Sequence, residues 1–367
     1  MVDETHYELD PIKKAVKFTD EGWKFLHQQL PAAIQSKLER PWSQYVEQSL
    51  RAKIVLFLNE DYVVKENKVQ IVDQHTGRIH DERKWRSGLH QAVETRAGVP
   101  MTEEREIEAR ITRQRYFRFY EKTAGMTGTA EGNEAEMLEF YSLPIVKIPR
   151  NKPSGRTRLP SRFFVDPASK YRAIVADVIQ RNQTGQPILL GSKTIVQSRE
   201  LSMLLVEAQI QHTVLNGTQD ESEADIISQA GKSGAIMIAT NMAGRGTDIK
   251  LDDAARAAGG LHVVVVEHHD STRVDRQLIG RSARQSDPGS CQFFVCAADD
   301  IIQRYDPSLA SNMERRAGEN GECNVDFTKE IDALQKRIEL INFSSRRKMV
   351  VHDKWMESVQ KSVAKLA

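Results

Sequence analysis

Two short strings, 239–249 and 277–285, carry the side chains best suited to act on a phosphate. The first reads Ala239-Thr240-Asn241-Met242-Ala243-Gly244-Arg245-Gly246-Thr247-Asp248-Ile249. Gly244 and Gly246 would let backbone approach a phosphate closely. Arg245 adds positive charge, and Asp248 offers a carboxylate to a ribose hydroxyl or a metal-bound water. A lone GxG is more often a plain turn with a surface arginine; the whole string is far more specific. The second reads Gln277-Leu278-Ile279-Gly280-Arg281-Ser282-Ala283-Arg284-Gln285. Residues three apart on a helix share a face, so Arg281 and Arg284 are expected side by side. Two guanidinium groups so placed suit a γ-phosphate, and such an arginine finger is worth about 10³–10⁵ in rate. Two solvated arginines are the plain alternative. Gln277 one turn earlier and the Asp287-Pro288-Gly289 turn weigh against it.

That chemistry also needs a phosphate cradle, GxxxxGK[ST] between a strand and a helix. Gly231-Lys232-Ser233 has Ile226 at the first glycine position, and it ends a helix. Gly191-Ser192-Lys193-Thr194 follows a strand, but Gly185 is one residue out of register. Both are read as chance matches. So is Asp3-Glu4-Thr5-His6 as a DExH metal motif, because no apolar strand precedes it. In Glu267-His268-His269-Asp270, adjacent side chains of a strand point to opposite faces. A strand-end polar cluster is the expectation there, and no metal site is predicted.

The elements that must position these residues follow from periodicity. Short apolar runs at 187–191, 212–216, 235–239, 262–267 and 291–295 alternate with amphipathic helices over about 195–208, 222–230 and 271–284. Apolar strands alternating with helices mean a parallel sheet covered on both faces, the signature of a RecA-like α/β lobe. Such a sheet binds ligands beyond its strand C-termini, where the string after Ala239 lies.

Upstream, Phe18–Gly22 reads as a strand end and helix start, with Trp23, Leu26 and Leu30 at helical spacing. Residues 43–58 read as a helix with a Tyr45, Leu50, Ile54, Leu58 stripe, and 102–122 also read as helical. Residues 61–73 alternate as a hairpin turning at Glu66-Asn67. Its edge, with Val69 and Ile71, is expected to pair with an extended peptide. Downstream of Asp326, neither proline nor glycine occurs, and Ile331, Leu334, Ile338 and Ile341 form one stripe of a long helix.

Composition sets limits on this reading. With 52 basic and 51 acidic residues, net +1, broad sequence-independent binding to nucleic acid is disfavoured. Cys291, Cys296 and Cys323 make no CxxC pair and are expected as small buried hydrophobes in a reducing compartment. The polar start is not a signal peptide. No run approaches the roughly 18 apolar residues of a membrane span.

Together with their neighbours, the two strings closely resemble the SecA family of preprotein translocase ATPases. Tyr120-Glu121-Lys122-Thr123-Ala124-Gly125-Met126-Thr127-Gly128-Thr129-Ala130 resembles the family's segment between its two motor lobes. Trp85–Glu94 is similar to the segment just before it, and Val72–Arg78 to the strand leaving the preprotein-binding domain. Gly259-Gly260-Leu261-His262 and Gln285–Ser290 also fit.

The resemblance implies a domain map. Residues 1–80 would be part of a preprotein-crosslinking domain of α+β type, and 81–145 a return into the first nucleotide-binding lobe. Residues 146–297 would be the second RecA-like lobe, and 298–367 the start of a helical scaffold. Arg281 and Arg284 would be catalytic, acting on the transition state. Gly244, Arg245, Gly246, Asp248 and Gln277 would meet the nucleotide, with Asp248 and Arg245 coupling its state to lobe closure. Gly128 and Thr129 would sense closure.

ATP and Mg2+ are the implied ligands, shared with another lobe. The implied partners are unfolded preprotein and a SecYEG-type membrane channel. A separate chain with the Walker A and Walker B motifs and a homo-oligomer are the further assemblies considered; specific nucleic acid is not expected. The implied location is cytoplasmic and peripheral to the membrane. In the family the cradle and the DExx motif lie upstream of this sequence. The chain is therefore expected to be the C-terminal portion of the ATPase core, from a split gene or a truncation, and inactive alone. The alternatives are a non-catalytic module binding preprotein or the motor partner, and a superfamily 2 nucleic-acid helicase lobe.

Departures from the family pattern are specific. Gln74 replaces a usual glutamate, and Val351-His352-Asp353-Lys354-Trp355 weakens an acidic pattern. Ala283 and Ser286 replace glycines. Alanine favours a helix over glycine by about 1 kcal/mol, so Ala283 fits one. Ser286 is unfavourable if its turn needs positive φ.

Overall fold

The computed structural model describes residues 1, 3–10, 15–29, 37–72, 79–80, 83–104, 111–215, 223–240 and 248–364. It forms two compact units. One comprises Met1–Arg105, Ser192–Ile227 and Met237–Thr247; the other comprises Glu106–Gly191, Ser228–Ile236 and Asp248–Ala367.

In the first unit, β1 (Tyr7–Asp10) and β2 (Ala15–Phe18) pair antiparallel. The chain then enters the helix Asp20–Gln29, where the Thr19 hydroxyl caps the Gly22 amide. Leu26 of that helix is buried, whereas Trp23 stays 44% exposed. The next helix is Trp42–Ile54. It buries Gln48 and Ala52, not the expected stripe; Tyr45 and Leu58 are exposed. Its apolar partners dictate that face: Ala52 and Leu56 pack with Tyr62, Val69, Leu89 and Val93.

The hairpin forms as β3 (Tyr62–Lys65) and β4 (Lys68–Val72), with Val64 opposite Val69. Glu66 and Asn67 have φ of 50° and 60°, the paired positive values of a type I′ turn. The edge expectation is corrected. A third strand, β5 (Ile79–His80), pairs with β4, so Ile71 faces Tyr62 on one side and His80 on the other. Val69 lies in the core at 5% exposure. The helical reading of 102–122 is also corrected. Glu94 accepts both the amide and the hydroxyl of Thr102. Among the described residues of that stretch, only Arg113–Phe117, in the second unit and capped by Thr112, is helical.

The parallel sheet matches expectation. Its strands are β6 (Arg156–Arg158), β7 (Arg162–Phe164), β8 (Ile188–Ser192), β9 (Thr213–Leu215), β10 (Ile236–Thr240), β11 (Leu261–Val265) and β12 (Gly289–Cys296). The order is β6-β12-β11-β8-β10-β9, with β7 also on β12. Every residue of β8, β10, β11 and β12 is buried, as a sheet covered on both faces requires. Helices Pro167–Asn182, Ile195–Glu207, Glu223–Gln229 and Thr272–Ile279 connect the strands.

The long helix is Thr328–Ala364, in the second unit. Ile331, Leu334 and Ile338 are buried, but Ile341 is 44% exposed. Beyond Ile338 the helix meets a new neighbour, the helix Glu134–Tyr141, with another face. Phe343 packs on Phe140, and Arg346 makes a two-pronged ion pair with Glu136 at 2.6 Å. Arg347 pairs with Glu139, and Asp353 bonds Thr112. No helix among the described residues is long and apolar enough to cross a membrane.

Candidate functional site

The second unit holds Arg281, Arg284, Asp248, Gln277, Gly128 and Thr129. The helix that leads to the arginines ends earlier than its sequence suggests, at Ile279. Its last turn tightens: Arg281 and Ser282 donate their amides to Leu278 and Ile279, three residues back. Ala283 then turns left-handed, at φ 53° and ψ 42°. Gln285 and Ser286 follow at φ 52° and 67°. Each such non-glycine residue costs about 1–2 kcal/mol. The helical fit of Ala283 is thus corrected, and the strain foreseen for Ser286 is present. Arg281 and Arg284 do not share a helical face; a left-handed residue lies between them, and Arg284 opens a short 3-10 turn, Arg284–Ser286.

Arg284 is engaged within the protein. Its Nη1 donates to Asp248 Oδ1 at 2.8 Å and its Nε to the Gly280 carbonyl at 3.3 Å. Both side chains of the ion pair are substantially exposed, 36% and 46%. The loop lies at the edge of the sheet where strands begin. A Cβ on Gly289, first residue of β12, would stand 2.8 Å from the Ala283 amide nitrogen and 3.1 Å from the carbonyl of Leu261, which starts β11. The edge beyond the strand C-termini carries Glu267–Asp270 after β11. Gly244, Arg245 and Gly246 lie outside the described residues.

Gln277 and Thr129 are brought together: the Gln277 amide donates to the Thr129 hydroxyl at 3.3 Å. The neighbouring Arg276 donates to the Glu131 carbonyl at 2.7 Å. Thr127 caps the Thr129 amide, and Gly128 between them is exposed. The segment resembling the link between lobes therefore touches the helix that leads into the arginine loop. Val69 and Ile71 belong to the first unit, in the positions already given.

The lysine motifs are occupied with other work. Thr194 caps the helix Ile195–Glu207 by accepting from the Gln197 amide, while Gln197 accepts from the Lys193 amide. That reciprocal pattern is a capping box displaced by one residue. Ser233 donates its amide to Asp252 and its hydroxyl to the Gly185 carbonyl.

In the Glu267–Asp270 cluster, His268 and His269 each turn Nδ1 to Asp275, at 2.7 and 2.6 Å. Gln335 of the long helix reaches the same carboxylate at 2.8 Å and the His269 carbonyl at 2.7 Å. Burial pushes the Asp275 carboxyl up, but the two histidines outweigh it and hold the group well below the usual carboxylate range. Among the described residues, no group of three or more His, Cys, Asp or Glu side chains is arranged to hold a metal. The arginines fit phosphate oxygens.

Sequence reading passed over three contributors. Asp275 carried a signal, a charge on the apolar face between Val274 and Leu278. Lys170, paired in the interior with Asp299, carried none. Neither did Arg156, which bonds Ser282. Cys291 and Cys296 are fully buried, while Cys323 is half-buried.

The parallel sheet and its helical cover define the class, an α/β lobe of RecA-like type. Residues 153–257 and 252–321 match the SecA P-loop domain, and residues 1–94 match the SecA preprotein cross-linking domain. "Protein translocase subunit SecA" of Halothermothrix orenii is 39% identical over 354 residues, 95% of this chain and 42% of that protein. Its counterpart in Wolinella succinogenes is 38% identical over 367 residues, 99% of this chain and 43% of that one. Among solved structures, the E. coli DEAD-box protein SrmB, bound to the regulator of ribonuclease activity RraA, is 22% identical. It covers 42% of this chain and 83% of that one, at a TM-score of 0.33, too low to weigh further. The chain belongs to the SecA family. It spans about two fifths of the length of the curated relatives it matches.

Proposed function

We propose that this chain supplies the arginine-bearing side of a SecA-type ATP site, completed by a polypeptide carrying the phosphate cradle and the Mg2+ ligands. Arg284, with Arg281, meets the γ-phosphate as charge develops there. Asp248 holds Arg284 until nucleotide competes for it. The Arg284–Asp248 pair is the observation that carries this reading. An exposed ion pair contributes about 0–1 kcal/mol, so a triphosphate can exchange for the carboxylate at little cost. Thr129 against Gln277 supports a link between the arginine helix and the first lobe.

In this reading residues 1–80 handle unfolded preprotein, 81–145 return to the first lobe, 146–297 form the second and 298–367 begin the scaffold. Hydrolysis drives preprotein through a SecYEG-type channel from the cytoplasmic face of the membrane.

ATP turnover tests it. The chain alone is expected to hydrolyse at background. With a polypeptide bearing GxxxxGK[ST] and DExx, turnover should rise to the order of 1–10³ s⁻¹. Arg284→Ala should then lower it by about 10³-fold. Turnover indifferent to Arg284→Ala would refute the assignment.

A further inference from the structure

The loop bearing Arg284 is gripped from outside by the first residues of β6. Arg156 is half-buried. It donates Nε to the Ser282 hydroxyl at 3.0 Å and Nη2 to the Ser282 carbonyl at 2.8 Å. Ser282 is fully buried, stands between Arg281 and Arg284, and spends its own hydroxyl proton on the Ile279 carbonyl at 3.0 Å. The preceding residue, Gly155, lies against the far end of the same loop. A Cβ there would come within 2.7 Å of the Asp287 carbonyl oxygen and 3.3 Å of that of Ser286. The Asp287 side chain is in turn paired with Arg256 at 3.1 Å. The residues of positive φ, Ala283, Gln285 and Ser286, lie between these grips. Strained backbone persists only where its surroundings over-determine it.

We propose that Arg156 is a positioning residue for the arginine loop: its fork on Ser282 holds 282–286 in the left-handed path that carries Arg284 away from the helix line. This rests on the reading of Arg281 and Arg284 as phosphate-facing, and Arg156 itself need not touch nucleotide. The planar fork matters because hydroxyl and carbonyl are taken at once. An ammonium is a point charge and reproduces only part of that grip.

Two measurements on Arg156→Gln and Arg156→Lys test the proposal, with Arg158→Gln as the neighbouring control. The first is limited trypsin digestion of the native chain, read by mass spectrometry at the bonds after Arg281 and Arg284. Cleavage of a locally opened segment follows its open population. Arg156→Gln should raise cleavage there by about tenfold, Arg156→Lys by less, and Arg158→Gln not at all. Equal cleavage in the wild type and Arg156→Gln overturns the proposal. If Arg156→Gln does not fold, Arg156→Lys carries the same comparison.

The second is ATP turnover with the cradle-bearing polypeptide added. A displaced catalytic group costs about 10²-fold, so Arg156→Gln should lower kcat by about 10–100-fold with KM within about twofold. Arg156→Lys should recover part of the loss. Unchanged kcat in Arg156→Gln, where Arg284→Ala abolishes turnover, overturns the positioning role. Turnover indifferent to Arg284→Ala overturns the functional reading instead, and the cleavage result still decides whether Arg156 holds the loop.

Discussion

The two ends of the helix Thr272–Ile279 are built on opposite principles. Near its start, Asp275 is 5% exposed and takes hydrogen bonds from His268, His269 and Gln335. Glu339 accepts from the Thr272 amide and hydroxyl, tying the same end to the long helix. Beyond its finish, the arginine loop carries strained residues on both sides of Arg284, Ala283 before it and Gln285 and Ser286 after it. Arg284 itself makes an ion pair open to solvent. A buried charge is retained only when every partner is present, whereas an exposed pair is loosely held. The contrast marks one end as an anchor and the other as the end that can exchange partners with a ligand.

The largest effect should come from the anchor. Asp275→Ala leaves two histidines and a glutamine amide buried without that acceptor, and should cost about 3–5 kcal/mol in denaturant unfolding. A loss comparable to that of an exposed pair would erase the distinction between the two ends. Acid sharpens the same test. The folded Asp275 pKa lies below its ordinary value of 3.8. The stability it contributes is complete above that value and is lost as pH falls through it toward the folded pKa. Wild type should therefore lose stability below about pH 4 more steeply than Asp275→Asn. Parallel acid profiles would show that the histidines do not hold the carboxylate charged.

A middle-sized effect separates strain from packing at the working end. Ala283 adopts positive φ, where glycine carries no Cβ penalty but loses more freedom on folding. Ala283→Gly should therefore stabilise the chain by about 0.5–1 kcal/mol net, raising the melting temperature by a few degrees. A lower melting temperature would mean that the methyl group contributes packing worth more than the strain.

The same contrast explains what could be read in advance. The parallel sheet was legible because fully buried strands must be apolar along their whole length, as in Ile188–Leu190 and Leu261–Val265. The Glu66-Asn67 turn was legible because two residues between alternating runs leave few backbone solutions. The arginines were legible as a motif, but their geometry was not. Gly280 weakens the helix after Ile279, but it does not by itself turn the chain left-handed, and alanine at 283 favours a helix. The grip that overrides that preference comes from Arg156, 126 residues away in sequence. Val69 was misread as an edge residue because β5 is only two residues long and carries no pattern of its own.

The smallest effect on stability should accompany the most telling change in binding. Asp248→Asn removes the charge of an exposed pair, so the melting temperature should move by no more than about a degree or two. Arg284 then faces less competition from within the chain, and a soluble polyanion gains. Inorganic tripolyphosphate, titrated calorimetrically at low salt, should bind Asp248→Asn severalfold more tightly than wild type, a gain of about 1 kcal/mol or less. Adding Arg284→Ala should remove that gain. If Asp248→Asn instead bound tripolyphosphate more weakly, the carboxylate would not be a competitor. It would be a support that keeps Arg284 pointed at its anion, and the working end would be an anchor as well.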